Sequence, residues 1–439
     1  MKRKIYNELL NWKNDVNNIK PLMILGARQV GKTYIIEEFC QKEFKNYFYI
    51  NLLENDNVVN IYNSSANSDD KFNLLKVLLD FDLEQEDTVL FIDEIQESEK
   101  LISELKYFCE KHNSLRIVCA GSLLGVKLKR SHFSFPVGKV KMLNMYPMDF
   151  EEFLEALGQE LLIEEIKKCY EKNVEMLSPI HEKALNLYRL YLLTGGMPES
   201  VKNIINVNCD VVKYDNNILK DIVDSYFKDM NKYVESNNET LKIQRTYKSI
   251  PPQLANESNK FQYSKIDKNA KSRDYDISIE WLVASNIVNK SYLVTVPEIP
   301  LKGFIDESIF KLFLSDVGIL NNLLEIKKAD ILMDNISLYK GVITENYVAN
   351  QLVSNGFSLY YWQSKGLAEI DFLIYTADGI IPVEVKSSTS VRSKSLGVYI
   401  ERFNPKYAIR ISTRNFGYDK NKKIKSIPLY AVFCIKNDN

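Results

Sequence analysis

The fold of the first third of this chain is decided by one stretch, Gly26-Ala27-Arg28-Gln29-Val30-Gly31-Lys32-Thr33. It follows the apolar run PLMIL and ends at the start of a segment with helical periodicity, Lys32–Cys40. The eight residues fit the pattern G-x-x-x-x-G-K-[ST], in which the glycines let the backbone amides turn toward a phosphate. Lys32 then reaches the β- and γ-phosphates, and the Thr33 hydroxyl is a ligand for Mg²⁺. The stretch therefore predicts a phosphate-binding loop for a nucleoside triphosphate such as ATP.

Apolar runs and helix-period segments alternate around this loop, from Pro21 to about Gly121. The predicted strands are PLMILGA at 21–27, NYFYINL at 46–52, TVLFID at 88–93 and LRIVCAG at 115–121. Near-continuous apolar strands separated by helices indicate a parallel sheet with helices on both faces. The sequence therefore predicts the α/β class, with the parallel sheet of a P-loop nucleoside triphosphatase.

Two acidic residues, Asp93 and Glu94, follow the predicted strand VLFI. In phosphoryl transfer one group at such a site holds the Mg²⁺ ion and another orients the attacking water. We expect Asp93 to hold the metal and Glu94 to act as the general base. The alternative is an acidic strand end that caps the next helix. Ser122, after the following strand, is a candidate catalytic sensor of the γ-phosphate, with a simple helix N-cap as its alternative.

Several stretches resemble those of one family, the prokaryotic AAA-type (AAA+ superfamily) ATPases that carry an uncharacterised C-terminal domain. The resemblance is carried by GARQVGKT, VLFIDEIQ, CAGSLLG, Pro147–Leu154, Thr194–Glu199 and Phe310–Leu320. It covers nearly the whole chain, and the last three stretches are the most particular to the family. It implies Mg²⁺-dependent ATP hydrolysis, with Lys32 and Glu94 as catalytic residues.

The family's nucleotide sites commonly lie between subunits, so the resemblance also implies a homo-oligomer. Family members usually have Gly-Arg ahead of the Pro-x-x-Phe stretch, whereas this chain has Gly138-Lys139. A lysine cannot offer the bidentate fork that an arginine presents to a phosphate. An arginine finger is therefore not assigned at this point, and Arg130 is the nearest substitute.

A second group of charged residues lies on a predicted C-terminal hairpin, formed by AEIDFLIYT and IIPVEVKSS. Strand side chains alternate, so Glu384 and Lys386 share one face, and Asp371 joins them from the neighbouring strand. Two carboxylates form a site for Mg²⁺ or Mn²⁺, and the lysine can act on a hydrolytic water. The arrangement resembles the PD-(D/E)xK nucleases, and Glu345 lies where those enzymes often place a fourth acidic residue, beside the metal.

Three functions stay open for this C-terminal domain: metal-dependent nuclease activity, nucleic-acid binding without cleavage, and a salt-bridged structural remnant. For the whole chain we expect an ATPase coupled to the nuclease-like domain, and the alternative is a nucleotide-dependent switch or interaction protein that binds a partner or nucleic acid without cleaving it. Residues 384–425 contain eleven Lys and Arg against three Asp and Glu, which favours a phosphodiester-facing surface. DNA is therefore a candidate partner. The alternative is a solvated basic face.

The predicted domains are an ATPase domain at 1–155, a helical lid at 156–234, a winged helix at 235–300 and a restriction-endonuclease-like α/β domain at 301–439. The winged helix rests on three short helical segments followed by IVNKSYLVTVPE, which we expect to fold as a hairpin. Its alternative is a small helical spacer that does not contact DNA.

Composition excludes several other classes of protein. Hydrophobic residues make up 45% of the chain and charged residues 26%, as in ordinary globular proteins. We expect a cytoplasmic protein, because no apolar run approaches the ~18 residues of a membrane span. The six cysteines form no CxxC pair, and the three histidines have no ligand-spaced companions, so a zinc site is not predicted.

Overall fold

A computed structural model of the chain describes residues 1–112, 114–122, 125–126, 135–234, 236–256, 260–333, 339–364, 368–388 and 394–437. The chain forms two compact units. The N-terminal unit comprises Lys2–Tyr146 with Ala284–Asn286, and the C-terminal unit comprises Pro147–Val283 with Ile287–Asn439. Arg130, the candidate arginine finger, lies outside the described residues.

The N-terminal unit is built on a five-stranded sheet. Its elements are α1 (Ile5–Asn14), β1 (Leu22–Leu25), α2 (Lys32–Glu43), β2 (Asn46–Asn51), α3 (Asp56–Asn63), α4 (Ser68–Leu79), β3 (Thr88–Asp93), α5 (Glu99–Lys111), β4 (Arg116–Ala120) and β5 (Lys141–Asn144). The strand order is β2-β3-β4-β1-β5, and every neighbouring pair is parallel. The predicted α/β class with a parallel sheet is confirmed.

The strand order determines which loops come together. Strands β3 and β4 are buried along their whole length, as expected for central strands covered on both faces. Strand β4 lies between β1 and β3, and because the strands are parallel, their carboxyl ends share one edge of the sheet. Ligands of open parallel sheets bind outside this edge. The loops after β1, β3 and β4 therefore meet there.

The C-terminal unit begins with a helical region. Its helices are α6 (Phe150–Ala156), α7 (Glu160–Lys172), α8 (Ser178–Thr194), α9 (Pro198–Asn206), α10 (Asn217–Tyr233), α11 (Asn237–Leu254) and α12 (Ser272–Ala284). Helix α6 starts with a capping box, in which Asp149 and Glu152 each accept a hydrogen bond from the other's backbone amide. Within the described ranges, no helix combines the length and the apolar character needed to cross a membrane.

The expected hairpin within IVNKSYLVTVPE is wrong. These residues contribute one strand, β6 (Val288–Val294), which pairs antiparallel with β7 (Ile305–Leu314). The apolar alternation of the segment indicates a strand correctly, but its partner lies beyond a ten-residue connection that contains the short helical turn Leu301–Phe304. Helices α11 and α12 and strand β6 occupy the range predicted to be a winged helix, whereas β7 lies beyond the end of that range at residue 300.

The rest of the C-terminal unit is mixed α/β. Its elements are α13 (Val317–Leu323), α14 (Lys328–Leu332), α15 (Lys340–Ser354), β8 (Tyr360–Gln363), β9 (Glu369–Ile370), β10 (Phe372–Thr376), β11 (Gly379–Val385), α16 (Lys394–Phe403), β12 (Ala408–Ser412), β13 (Gly417–Asp419) and β14 (Ile424–Pro428). One sheet has the order β7-β6-β8-β9, and the other has the order β10-β11-β12-β14-β13.

The predicted strand AEIDFLIYT is divided at Asp371. Strand β9, before this residue, pairs with β8, whereas β10, after it, forms an antiparallel hairpin with β11. The chain therefore leaves one sheet and enters the other at Asp371. Strand β11 then pairs in parallel with β12, across the connection that contains α16. The division places the Asp371 carboxyl at the junction of the two sheets.

Three stretches that are far apart in sequence meet inside the C-terminal unit. Met148 and Gly196 are joined by a backbone hydrogen bond of 2.7 Å, and the Gly196 amide donates to the Asp316 carboxylate at 2.6 Å. A Cβ atom on Gly196 would lie 1.9 Å from the Met148 carbonyl oxygen. Only glycine fits at this position, because any other residue would displace backbone.

Candidate functional site

The predicted phosphate loop connects β1 to α2. Gly31 has φ 92° and precedes the first helical residue, Lys32, while Gly26 has φ 152°. A Cβ on Gly26 would lie 2.3 Å from the Met145 carbonyl oxygen. The loop backbone therefore passes too close to the backbone after β5 to leave room for a side chain. Gln29 also has a positive φ, of 65°. The loop thus adopts the turn that the glycine pattern predicts, directly before a helix N-terminus.

The Lys32 side chain lies over this loop. It is 8% exposed, and its Nζ donates to the carbonyl oxygens of Gly26 at 2.9 Å and of Ala27 at 2.8 Å. The ammonium group is therefore held at the concave side of the loop by weak neutral acceptors. Phosphate oxygens are stronger, charged acceptors and can replace them. This arrangement fits a nucleotide phosphate.

Thr33, in the first turn of α2, and Asp93, at the end of β3, lie in contact. The Thr33 hydroxyl donates to Asp93 Oδ2 at 2.8 Å, and Asp93 is 5% exposed. A hydroxyl and a carboxylate in contact beside a phosphate loop are the oxygen donors that Mg²⁺ prefers. The residues present therefore fit a magnesium ion accompanying ATP, with Thr33 and Asp93 as its protein ligands.

Tyr49, which sequence analysis missed, also reaches this acid. Its hydroxyl donates to Asp93 Oδ2 at 3.3 Å from the neighbouring strand β2. Burial, together with the Asp93 charge, raises the pKa of Tyr49 to about 12. Tyr49 therefore remains a hydrogen-bond donor at physiological pH. Only the adjacency of β2 and β3 reveals this contact.

Glu94 follows Asp93 in a left-handed backbone conformation, with φ 53° and ψ 39°. Its amide donates to Asp93 Oδ1 at 2.9 Å, and its own carboxylate accepts a hydrogen bond from the buried Gln96 side chain. Non-glycine residues adopt this conformation at a cost, and such residues are frequent at functional sites. Ser122 follows β4 at the same sheet edge and is half-buried. Its role as a sensor stays a prediction.

Arg3 is a second residue that the motifs did not indicate. It is 9% exposed, and its guanidinium donates to the carbonyl oxygen of Val30, in the phosphate loop, at 2.9 Å and to that of Tyr146 at 2.6 Å. The side chain therefore ties the loop to the end of the sheet. Lys139, by contrast, is at the surface and forms an ion pair with Glu110 at 2.8 Å.

The predicted carboxylates of the C-terminal unit adjoin one another. Asp371 Oδ2 accepts a hydrogen bond from the backbone amide of Val385 at 2.7 Å, next to Glu384. Glu384 is 2% exposed, and its Oε1 lies 3.1 Å from the Lys386 ammonium. Burial raises the pKa of Asp371, and the charge of Lys386 reaches this carboxyl and partly opposes the rise. The structure therefore brings the three residues of the D…ExK pattern close to one another.

Glu345 faces a lysine that sequence analysis missed. The Lys311 ammonium, on β7, is fully buried and lies 2.9 Å from Glu345 Oε1 and 2.7 Å from Glu369 Oε1. Burial alone lowers the pKa of Lys311, but the charges of Glu345, Glu369 and Asp371 outweigh burial and raise it above its ordinary value. Lys311 therefore stays charged. We call Lys311, Glu345, Glu369, Asp371, Glu384 and Lys386 the C-terminal cluster.

The cluster retains acid that its lysines do not neutralise. Burial, followed by the charge of Glu345, raises the pKa of Asp371 to about 7, although Lys311 and Lys386 oppose this. Oε2 of Glu384 is buried and has no hydrogen-bond partner among the described residues. Both observations fit a divalent cation held by Asp371 and Glu384. The described part of the chain contains no group of three His, Cys, Asp or Glu side chains arranged for a metal, and the place of Glu345 beside the metal stays a prediction.

Residues 18–154 match the model of a family described as an AAA domain. The match agrees with the phosphate loop and the parallel sheet of this part of the chain. Residues 185–330 and 340–432 match two families that are each described as a domain of unknown function, DUF8612 and DUF4143. The chain is also 26% identical over 388 residues to the uncharacterized protein MJ1544 of Methanocaldococcus jannaschii, covering 85% of this chain and 76% of that protein.

Two solved structures share a distant similarity with the chain. The Walker-type ATPase PABY2304 of Pyrococcus abyssi has a TM-score of 0.45 at 14% identity, over 74% of this chain and 95% of that one. The ORC2 protein of Aeropyrum pernix has a TM-score of 0.35 at 12% identity, over 76% of this chain and 92% of that one. Similarities this distant assign no function to this chain.

Proposed function

We propose that the chain hydrolyses ATP with Mg²⁺ at the loop Gly26–Thr33, and that ATP turnover controls a phosphodiester-directed activity of the C-terminal unit. The hydrogen bond between Thr33 and Asp93 supports the proposed ATP hydrolysis. It brings the phosphate loop together with the acidic end of β3, and an ATPase needs these two motifs side by side. The match of residues 18–154 to an AAA domain supports the same conclusion.

Each residue of the N-terminal site has a role in this proposal. The loop amides and Lys32 bind the phosphates, and Thr33 and Asp93 hold the metal. The ion supplies positive charge that neutralises the phosphate oxygens when it is bound. Glu94 accepts a proton from the attacking water, and Gln96 orients the Glu94 carboxylate through their hydrogen bond.

Two substitutions separate binding from chemistry. Lys32→Ala is expected to abolish ATP binding, whereas Glu94→Gln should bind ATP normally and hydrolyse it roughly 100-fold more slowly or worse. Glu86→Gln changes an exposed acid in the same unit and should alter neither quantity. Binding is measured with a fluorescent nucleotide and turnover by phosphate release. Turnover by Glu94→Gln at the wild-type rate would remove Glu94 from the role of general base.

For the C-terminal unit we propose metal-dependent cleavage of a phosphodiester, with DNA as the substrate class. Asp371 and Glu384 would hold one Mg²⁺ or Mn²⁺ ion, and Lys386 would lie beside the hydrolytic water. The observation that favours this proposal is the buried, unpartnered Oε2 of Glu384, since such an atom is costly unless a ligand satisfies it. The range 235–300, predicted as a winged helix, would contact the DNA.

A matched pair of hairpin variants tests the cleavage. Asp371→Asn is expected to abolish Mn²⁺-dependent cleavage of a duplex DNA substrate and to remove Mn²⁺ binding from the C-terminal unit. Asp378→Asn alters an exposed acid on the same hairpin, where it pairs with Lys406, and should preserve both. DNA that binds but is never cleaved by the wild-type chain would establish the alternative, a nucleic-acid-binding domain without nuclease activity.

We also propose that ATP promotes self-association, because the nucleotide sites of AAA-type ATPases commonly lie between subunits and use a cation from the neighbour to stabilise the transferring phosphoryl charge. Lys139 already forms an ion pair with Glu110 of its own chain, which weakens its candidacy as that cation. Sedimentation of the Glu94→Gln chain with ATP is expected to give a concentration-dependent oligomer. Monomers at all concentrations would refute this part of the proposal.

A further inference from the structure

The C-terminal cluster contains a cation that belongs to the protein itself. Lys311 lies on β7, in the sheet β7-β6-β8-β9, whereas Glu384 lies in the other sheet. Its ammonium is completely buried, and it bonds to one carboxylate from helix α15 and one from strand β9. The ring of Tyr361 lies 5.0 Å from the same nitrogen. A buried ammonium with these partners is fixed in place, because its displacement would leave two carboxylates without a counter-charge.

The charge balance of the cluster limits how many ions it can take. Its members are four carboxylates and two ammonium groups, which leaves two negative charges when all are ionised. One divalent cation neutralises that remainder. Glu345 and Glu369 are bonded to Lys311, and Oε1 of Glu384 is paired with Lys386, so the oxygens left for an ion are those of Asp371 and Oε2 of Glu384.

We propose that Lys311 is a permanent internal cation of the C-terminal cluster, in the place of a second metal ion, so that the site binds a single divalent cation through Asp371 and Glu384. The inference rests on the proposed metal site and specifies its stoichiometry. Two-metal sites place their ions about 3.5–4 Å apart to stabilise the attacking and leaving oxygens together. Here Lys311 is a positioning residue, which holds Glu345 and Glu369 away from the ion.

Manganese titration of the full-length chain tests the stoichiometry. The experiment uses nucleotide-free protein in an Asp93→Asn background, which removes the carboxylate of the two proposed metal ligands in the N-terminal unit. By calorimetry the parent is expected to bind one Mn²⁺ ion per chain. Lys311→Met keeps the length of the side chain but releases Glu345 and Glu369 from their ion pairs. This variant should bind two Mn²⁺ ions per chain. Lys311→Arg keeps the charge and should bind one.

The result that overturns the proposal is a Lys311→Met chain that folds and still binds one Mn²⁺ ion with unchanged affinity. Circular dichroism reports whether that variant folds, because loss of a buried cation can unfold a domain. If it does not fold, electron paramagnetic resonance of the parent at saturating Mn²⁺ decides. A single isolated manganese spectrum supports the proposal, and the spectrum of a coupled manganese pair refutes it.

The test also separates this inference from the proposed metal site. If the parent binds no Mn²⁺ but Lys311→Met binds one ion, the metal site of the wild-type chain is wrong, yet Lys311 does occupy a cation position. If parent and Lys311→Met each bind one ion with equal affinity, the metal site stands and the role of Lys311 is refuted.

Discussion

Ionisation of one buried carboxyl, that of Asp316, is expected to make the C-terminal unit less stable at neutral than at mildly acidic pH. Asp316 is 1% exposed and accepts hydrogen bonds from the amides of Gly196 at 2.6 Å and Ile319 at 2.9 Å. Burial raises the pKa of this carboxyl from 3.8 to about 6, although the backbone donors oppose the shift. The groups that its charge reaches include four buried tyrosines, which stay neutral in this range.

The direction of the effect follows from proton linkage. The folded-state pKa is above the unfolded one, so between about pH 4 and pH 6 the folded chain binds more protons. Stability is therefore highest below about pH 4 and is lost as the pH rises through about 6. A shift of about two pKa units corresponds to about 3 kcal/mol. Roughly 2 kcal/mol of this falls between pH 4.5 and pH 7.5.

Urea unfolding of wild-type Asp316 and Asp316→Asn chains, compared at several pH values, isolates this contribution. Both proteins carry Trp12→Phe, which leaves Trp281 and Trp362 of the C-terminal unit as the only tryptophans, so fluorescence reports that unit. The stability advantage of the aspartate over the asparagine should shrink by about 2 kcal/mol from pH 4.5 to pH 7.5. A difference independent of pH would refute the raised pKa. A difference that grows with pH would mean that the backbone donors outweigh burial.

Three further substitutions test other contacts. Gly196→Ala places a Cβ 1.9 Å from a backbone oxygen and should destabilise the C-terminal unit by roughly 3 kcal/mol in urea unfolding, whereas Gly397→Ala, in open space on a helix, should be neutral or slightly stabilising. Tyr49→Phe loses one hydrogen bond to Asp93 worth about 1 kcal/mol, so ATP turnover should fall about fivefold, and a hundredfold loss would show a larger role. Arg3→Met releases the phosphate loop and should weaken ATP binding roughly tenfold while turnover at saturating ATP changes little; unchanged affinity would contradict this.

The backbone of the proposed nucleotide site could be predicted largely from sequence because its determinants are local. The turn at Gly26–Thr33 and the acids at Asp93–Glu94 each lie within a few residues of the strand that positions them. Tyr49 could not be predicted in the same way. It lies in a predicted strand, but its contact with Asp93 depends on the pairing of β2 with β3, and hydrophobic periodicity does not determine strand order.

The resemblance identified three stretches as particular to the family without giving the reason for them. The structure supplies a physical one, because Met148, Gly196 and Asp316 belong to those stretches and contact one another directly. Gly196 is enclosed by the backbone of Met148, and the Asp316 carboxylate accepts hydrogen bonds from the amides of Gly196 and Ile319. A substitution at either residue would therefore disturb the other. Their spacing in the sequence, of 48 and 120 residues, gives no local signal of the contact.

The same limit applies with more consequence to the C-terminal cluster. The D…ExK pattern considers only the acids of the motif and the acid of the preceding helix. From Asp371, Glu384 and Glu345 it predicts a metal ion surrounded by three carboxylates. Chemistry at such a site depends instead on how many acids remain once the fold has supplied its own counter-charges. Lys311 is 34 residues from Glu345 and 58 residues from Glu369, on a strand outside the motif, and it bonds to both. Under the proposal that Lys311 takes a cation position, the number of ions that the cluster binds is therefore set by a lysine that the motif does not contain.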